Sequence, residues 1–306
     1  MYRFRFAGTL VGLGALLVSC STNSSTTSSS AGTSNGSTTS VQHERKIGGS
    51  VRVAYAGSLV GAFVENIAPA FVRETGVGFS GLPGGSSGLA NEIKSKTIAV
   101  DVFISASPSV NDLLMGAPNG SWESWYALLG NSPLVVGYNP RSQFAKDLRT
   151  KPWYQVMQMP GFLLGRTDPQ IDPKGVLVEK LITQESSKIS DPSLENKVLG
   201  SPENPSQIFP EETLVARLQS GQLDAGFFYS SEASLAHIPS VSTGISLGAT
   251  FTVTILNSSQ DRTQALAFVN FLYSPQGRQL LKISGVTTTK PSIFGNVHSA
   301  PSGLSL

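Results

Sequence analysis

Two glycine-serine turns stand where apolar strands give way to helical patterns: Gly57-Ser58-Leu59 and Gly84-Gly85-Ser86-Ser87-Gly88. Such a turn leaves backbone N–H groups unpaired beside a hydroxyl, at the positive end of a helix dipole. It can hold an anion without a cation. Each serine taken singly is also an ordinary helix cap. Two such turns on adjacent parallel strands go further, because their helix N-termini converge at the carboxyl edge of one sheet, where open α/β sheets bind ligands. A third element runs from Gly165 to Gly175 and carries the steps Asp168-Pro169 and Asp172-Pro173 between a strand and a helix. Two Asp-Pro steps constrain the loop and fix its backbone donors and carboxylates. Alone, Asp168-Pro169 is a routine turn and Asp172 a routine cap. Tyr229 ends a further strand, where its phenol could donate to a ligand or its ring could fill an interface.

Nothing in the chain assembles a catalyst. Acyl transfer needs a base set against a nucleophile. The three histidines fall instead in a polar N-terminal stretch (His43), a Pro-adjacent loop (His237) and the C-terminal region (His298), and Cys20 is the sole cysteine. Gly84-Gly85-Ser86-Ser87-Gly88 does spell Gly-x-Ser-x-Gly, but none of the three histidines is placed as a base for Ser86, and a metal-ligand cluster is missing from the sequence. The expectation is a binder without a cofactor. A net charge of +2, from 22 basic and 20 acidic residues, offers no electrostatic footprint for nucleic acid.

The elements that must position these turns alternate. Ser50–Ala56 reads as a strand, with Leu59, Phe63, Ile67 and Phe71 at helical spacing behind it. Val77–Leu82 as strand and Leu89–Lys96 as helix repeat the unit, and Asp101–Ser105 has the apolar run of a strand buried on both faces. Alternation of this kind implies parallel pairing in an α/β sheet. Trp122, Trp125 and Tyr126, read as packing, precede a strand at Pro133–Tyr138, and the chain is expected to change lobes near Leu129. Beyond it come a strand at Gly161–Gly165, a helix from Gly175 to Thr183, a polar surface excursion over 186–207, a helix over Glu211–Ser220 and a strand over Asp224–Tyr229. Thr250–Ile255 then reads as a strand and Gln260–Tyr273 as a helix of the first lobe. The expected organisation is lobe one over 47–129 and 238–293, lobe two over 130–237, and a loose tail over 294–306.

The N-terminus sets the compartment. Arg3 and Arg5 precede an apolar run from Ala7 to Val18, too short to span a bilayer, with the small residue Ser19 before Cys20. Leu17-Val18-Ser19-Cys20 resembles a bacterial lipobox, which implies cleavage after residue 19 and a lipid on Cys20. Residues 21–46 are mostly Ser, Thr, Gly, Asn and Ala and have too little to bury to offset their conformational entropy. They are expected to form a flexible linker between an acylated anchor and a folded region of roughly 260 residues, ample for two lobes.

Read together, Ala54-Tyr55-Ala56-Gly57-Ser58-Leu59, Gly85-Ser86-Ser87-Gly88-Leu89, Asp101-Val102-Phe103-Ile104-Ser105-Ala106, the Asp168–Gly175 loop and Leu223-Asp224-Ala225-Gly226-Phe227-Phe228-Tyr229 resemble, in this order, the molybdate/tungstate-binding proteins of ABC importers. The paired Asp-Pro steps are closest to the tungstate-binding branch. The resemblance implies a two-lobed periplasmic binding protein fold of type II, each lobe a mixed, mainly parallel sheet flanked by helices. It implies oxyanion contacts from Ser58, Leu59, Ser86, Asp172, Pro173, Lys174, Glu211 and Tyr229, with Asp172 and Glu211 as oxygen ligands to the molybdenum or tungsten of the bound anion. Glu212 is the neighbouring alternative to Glu211. Position 174, commonly cysteine in that branch, is lysine here. If this position contributes mainly its backbone N–H the change is tolerated, whereas a side chain pointing inward would add positive charge and could weaken discrimination against sulfate or phosphate. The other reading of the carboxylates is that Asp172 caps a helix and Glu211 is a solvated first-turn acid. The implied partners are a small oxyanion, an ABC permease and the membrane through the lipid on Cys20. Another anion, such as sulfate, thiosulfate or phosphate, or a surface sensor of the same fold, is the alternative.

Overall fold

The computed structural model describes residues 48–306. The signal segment, Cys20 and the linker lie outside the described residues. β1 (Ser50–Ala56) is central to the first half of the sheet, paired in parallel with β2 (Gly78–Gly84) and β3 (Val102–Ser105). β4 (Trp125–Tyr138) follows, then β5 (Leu164–Gly165), β6 (Ala225–Tyr229), β7 (Ser240–Ser242) and β8 (Gly248–Ile255). The strand order is β2-β1-β3-β8-β4-β6-β5. β8 enters antiparallel to both β3 and β4, and β6 pairs antiparallel with β4 and parallel with β5. The two outer groups are therefore parallel, and antiparallel strands join them.

β4 is longer than the strand read from sequence, because Trp125 and Tyr126 belong to it. Its stretch from Ala127 to Pro133 pairs with β8 and its last five residues with β6. The pairing register shifts between Leu128 and Gly130, and the two parts of the strand serve different halves of the sheet. The change of partner from β8 to β6 comes further on, after Pro133. The chain returns later than the expected 238, since β7 still pairs with Val135, Val136 and Gly137 of the second half.

Aromatic packing holds the helices of the first half. Tyr55 of β1 stacks on Phe63 with centroids 4.5 Å apart, and Phe71 meets Phe268 edge-on at 5.0 Å. These contacts fix Gly57–Thr75 and the helix Arg262–Tyr273 to one face of β1. Burial of each such ring contributes about 1.5–3 kcal/mol. The segment after Gly57 is not one uniform helix. It opens as a 3-10 turn over Gly57–Leu59, widens to a π-helix over Ala62–Ile67 and becomes α-helical at Ala68–Thr75.

Two expectations are corrected. Residues from Phe294 are docked rather than loose, because β9 (Thr287–Thr288) and β10 (Ile293–Gly295) pair with β4, Phe294 stacks on Tyr126, and Asn270 bonds the backbone of Gly303 and Ser305. The polar stretch 186–207 is only partly a surface excursion. The helix Pro173–Ile189 extends into it, and the helix Leu194–Val198 buries Leu194 and Val198. Alternating polar residues hide a short amphipathic turn of this kind. Among the described residues no helix is long and apolar enough to cross a membrane.

Candidate functional site

The two glycine-serine turns sit side by side, as adjacent parallel strands require. β1 runs into Gly57-Ser58-Leu59, and β2 runs through Gly84 to Gly85, which precedes the helix Ser86–Lys94. Ser58 is buried and its hydroxyl has no partner. The Ser86 hydroxyl accepts the Ala106 N–H at 3.1 Å, which ties this turn to the end of β3 and leaves the hydroxyl proton free to donate.

The Asp-Pro loop folds over this edge from the second half. Asp168 closes it on itself, accepting the Gln170 N–H on Oδ1 and the Asp172 N–H on its carbonyl. The Ile171 carbonyl then accepts the Gly88 N–H at 2.9 Å, a backbone bond between the loop and the helix after β2. Closeness here depends on Gly85, where a Cβ would lie 2.5 Å from the Ile171 oxygen. Asp172 caps the helix Pro173–Ile189, with Oδ1 accepting the Lys174 N–H at 2.7 Å. The capping reading is therefore correct but incomplete, because Oδ2 is buried and unpartnered.

Glu211 arrives by a separate route. The buried Arg166 guanidinium donates to the carbonyls of Ser201 and Pro202 and to the Gln207 side chain. Its backbone bonds Gln207 and Phe209, so β5 gains a short parallel neighbour that delivers Pro210 and Glu211 to the site. Arg166 works as a brace. Glu211 opens a 3-10 turn and is 4 % exposed, which overturns the reading of a solvated acid. Its Oε2 packs against the first turn, 2.9 Å from where a Cβ on Gly57 would be.

Lys174 is fully buried. Its ammonium donates to both oxygens of Glu232, at 3.0 and 2.8 Å, and stands 3.2 Å from Glu211 Oε1 without hydrogen-bond alignment. It is no free cation in the cleft. Burial by itself would lower its pKa, but the charges of Glu232, Glu211 and Asp172 outweigh burial and hold it above the ordinary lysine value. Burial, then the facing Glu211 charge, pushes Asp172 well above the usual carboxylate range. Tyr229 has its ring against Phe251 and its hydroxyl buried without a partner. Burial and the charges of Asp172, Glu211 and Glu232 push that phenol well up. Leu59 is core, and Pro173 is buried at the first helical position, so neither brings a polar side chain.

Two residues escaped the sequence reading. Thr167 is buried with an unpartnered hydroxyl in the wall of the cavity that Asp172 lines. Glu232 is the third residue of the helix Ser230–Leu235 and accepts the Tyr229 N–H at 2.7 Å. A glutamate three residues beyond a strand end, after Ser230-Ser231, is a helix-start signature that could have found it. Cavities of about 360 Å³ and about 240 Å³ flank the cluster. The larger touches Gly85, Thr167 and Asp172, the smaller Ser58 and Glu232, and Glu211 lines both. Ser58, Thr167, Asp172 and Tyr229 thus present unpartnered, buried oxygens near Glu211, whose own Oε1 faces the Lys174 ammonium.

The sequence profile of the bacterial extracellular solute-binding proteins matches residues 51–287. The chain belongs to that family. It is an extracytoplasmic solute-binding protein of the ABC-transporter type, in a family of binders rather than catalysts. A solute-binding protein of Petrotoga mobilis is 26% identical over 292 residues, covering 84% of this chain and 89% of that one. The molybdate/tungstate-binding protein WtpA of Pyrococcus abyssi is 25% identical over 234 residues, 60% of this chain and 68% of that one. The periplasmic molybdate-binding protein of Azotobacter vinelandii superposes with a TM-score of 0.58 at 16% identity, over 78% of this chain and all of that one. The sulfate-binding protein SubI of Mycobacterium tuberculosis also superposes at 0.58 and 16%, over 78% of this chain and 86% of that one. The solute-binding protein therefore has the two-lobed periplasmic binding protein fold, which is shared by receptors for different anions.

Proposed function

We propose that this protein is a lipid-anchored receptor that captures molybdate or tungstate between its lobes and passes it to an ABC permease. The observation that carries the reading is the mixture of groups around one buried interior. Hydroxyls of Ser58, Thr167 and Tyr229 can donate to an oxyanion, while Asp172 Oδ2 and the Glu211 carboxylate can only accept or ligate when ionised. Carboxylates repel a dianion that offers oxygen alone. Molybdenum(VI) and tungsten(VI) are hard centres that can add oxygen ligands to a tetrahedral oxyanion, so carboxylates there become an advantage. Sulfur in sulfate does not expand its shell in this way. The likeness to the Pyrococcus molybdate/tungstate-binding protein supports the same ligand. The lobes would hinge where β4 and β8 cross between the halves, at Gly130–Pro133 and Gly248–Thr250, and the anchor would be the lipid on Cys20.

Thermal unfolding of residues 47–306 with excess tungstate, molybdate, sulfate, thiosulfate or phosphate tests this. A ligand at about a thousand times its dissociation constant adds about 4 kcal/mol and raises the midpoint by roughly 8–16 °C at this size. The expected result is such a rise with tungstate or molybdate and none with the other three. A rise confined to sulfate, thiosulfate or phosphate rejects metal ligation, and no rise with any of the five rejects oxyanion capture.

A further inference from the structure

Lys174 has nothing left to offer a ligand. Its backbone N–H goes to Asp172 Oδ1, two of its ammonium protons go to Glu232, and the remaining charge faces Glu211 Oε1. Its ammonium also lies over two aromatic rings, 5.1 Å from the Tyr229 ring centroid and 5.8 Å from that of Phe228. Glu232 is anchored in turn. One of its oxygens also accepts the Tyr229 N–H, which fixes the carboxylate to the end of β6. A chain of contacts therefore runs from β6 through Glu232 and Lys174 to Glu211.

The arrangement has an electrostatic purpose as well as a geometric one. Asp172, Glu211 and Glu232 are three nearly buried carboxylates around one ammonium. A carboxylate that must approach an anion is more useful if its charge is partly offset from behind and if it does not have to be reoriented on binding. Glu211 meets both conditions through Lys174.

Building on the oxyanion reading above, we propose that Lys174 and Glu232 are the positioning pair of this site: Glu232 fixes the ammonium, the ammonium fixes and partly neutralises Glu211, and the pair thereby favours oxyanions whose central atom accepts a carboxylate oxygen. Neither residue touches the ligand. The lysine does not broaden binding toward sulfate, as an inward-pointing free cation would. It sharpens selectivity for the metal oxyanions.

Two variants test the pair. Glu232→Gln keeps an oxygen for the Tyr229 N–H and a good residue for the third helical position, but removes the charge that holds Lys174. The double variant Lys174→Met with Glu232→Gln replaces the ion pair by neutral side chains of similar length, a change that buried pairs commonly tolerate. Calorimetric titration with tungstate, with sulfate as competitor, and the unfolding midpoint without ligand are measured for both. The expected outcome is a loss of about 10–100-fold in tungstate affinity, with selectivity over sulfate falling by a similar factor, as for other groups that orient a metal ligand. The ligand-free midpoint reports separately any cost of leaving the buried carboxylates less compensated, and a merely structural role would move that midpoint while leaving the selectivity unmoved. If the double variant does not fold, Glu232→Gln alone decides. Tungstate affinity within about threefold of the unmodified protein in either folded variant overturns the positioning role and leaves oxyanion capture standing. An unmodified protein that binds neither tungstate nor molybdate overturns both.

Discussion

Asp172 performs two tasks with its two oxygens, and one substitution separates them. Asparagine is as good a helix cap as aspartate but carries no charge. Asp172→Asn should therefore leave the ligand-free unfolding free energy within about 1 kcal/mol of the unmodified protein, by urea titration, while lowering tungstate affinity at least about tenfold. A variant that binds normally would reduce Asp172 to a cap. Glu123 poses a different question, far from the proposed ligand. It is buried with neither carboxylate oxygen hydrogen-bonded, and burial, opposed by Asn111 and reinforced by the charge of Asp112, pushes it up to about 8 from an ordinary 4.5. The folded protein then keeps a proton that the unfolded chain releases. Stability is fully present below about pH 4.5, is lost as pH rises toward 8 and is flat above, a contribution on the order of 5 kcal/mol. Glu123→Gln should remove most of that slope, measured as the difference between urea unfolding at pH 5 and pH 8, whereas an unchanged slope would mean that Glu123 is charged throughout. Ser58, Asp172 and Tyr229 were legible in the sequence because they end strands or start helices, where the local pattern fixes position. Glu232 and Thr167 were not, since what marks them is burial beside groups distant in sequence.

Among the elements, a close approach joins the loop 168–172 to the start of the helix Ser86–Lys94. The Gly88 N–H is a first-turn donor with no partner inside its own helix, and the Ile171 carbonyl supplies one from across the cleft. Gly85 makes room for that oxygen. Gly85→Ala is expected to hold loop and helix apart, lowering ligand affinity about tenfold or more, and because the backbone φ of −61° there suits alanine the effect comes from the lost contact with Ile171 and not from local strain. Titration with tungstate and small-angle scattering check it, and an unchanged affinity together with an unchanged radius would show that the contact yields without cost. Strand-turn-helix units at β1 and β2 were readable because their apolar spacing and glycine turns agree. The 3-10 and π turns after Gly57 were not, because spacing at three, four and five residues blurs into one amphipathic pattern. Arg166 shows a related limit. Its burial is bought by carbonyls at Ser201 and Pro202, which no local pattern connects to it.

At the scale of the whole molecule, the order of turns along the chain allowed the fold to be anticipated, while the strand that joins the halves was read too short. Only tertiary pairing shows that Trp125–Tyr138 is one strand serving two partners. The C-terminal residues were misread for the same reason, since a three-residue strand such as β10 has no periodicity to detect. The placement of β8 has a consequence for how the chain assembles as it is made. β3 has β1 on one side and β8 on the other, and β8 is also the strand that joins β3 to β4. An exported chain emerges N-terminus first, so every residue of β4 through β7 crosses the membrane before β8 does. Until then the nascent β3 keeps an open edge, the kind of exposed template that invites pairing with other chains. β5, β6 and β7, by contrast, have all their strand partners as soon as residue 242 has emerged. The half of the sheet that is synthesised first is completed last.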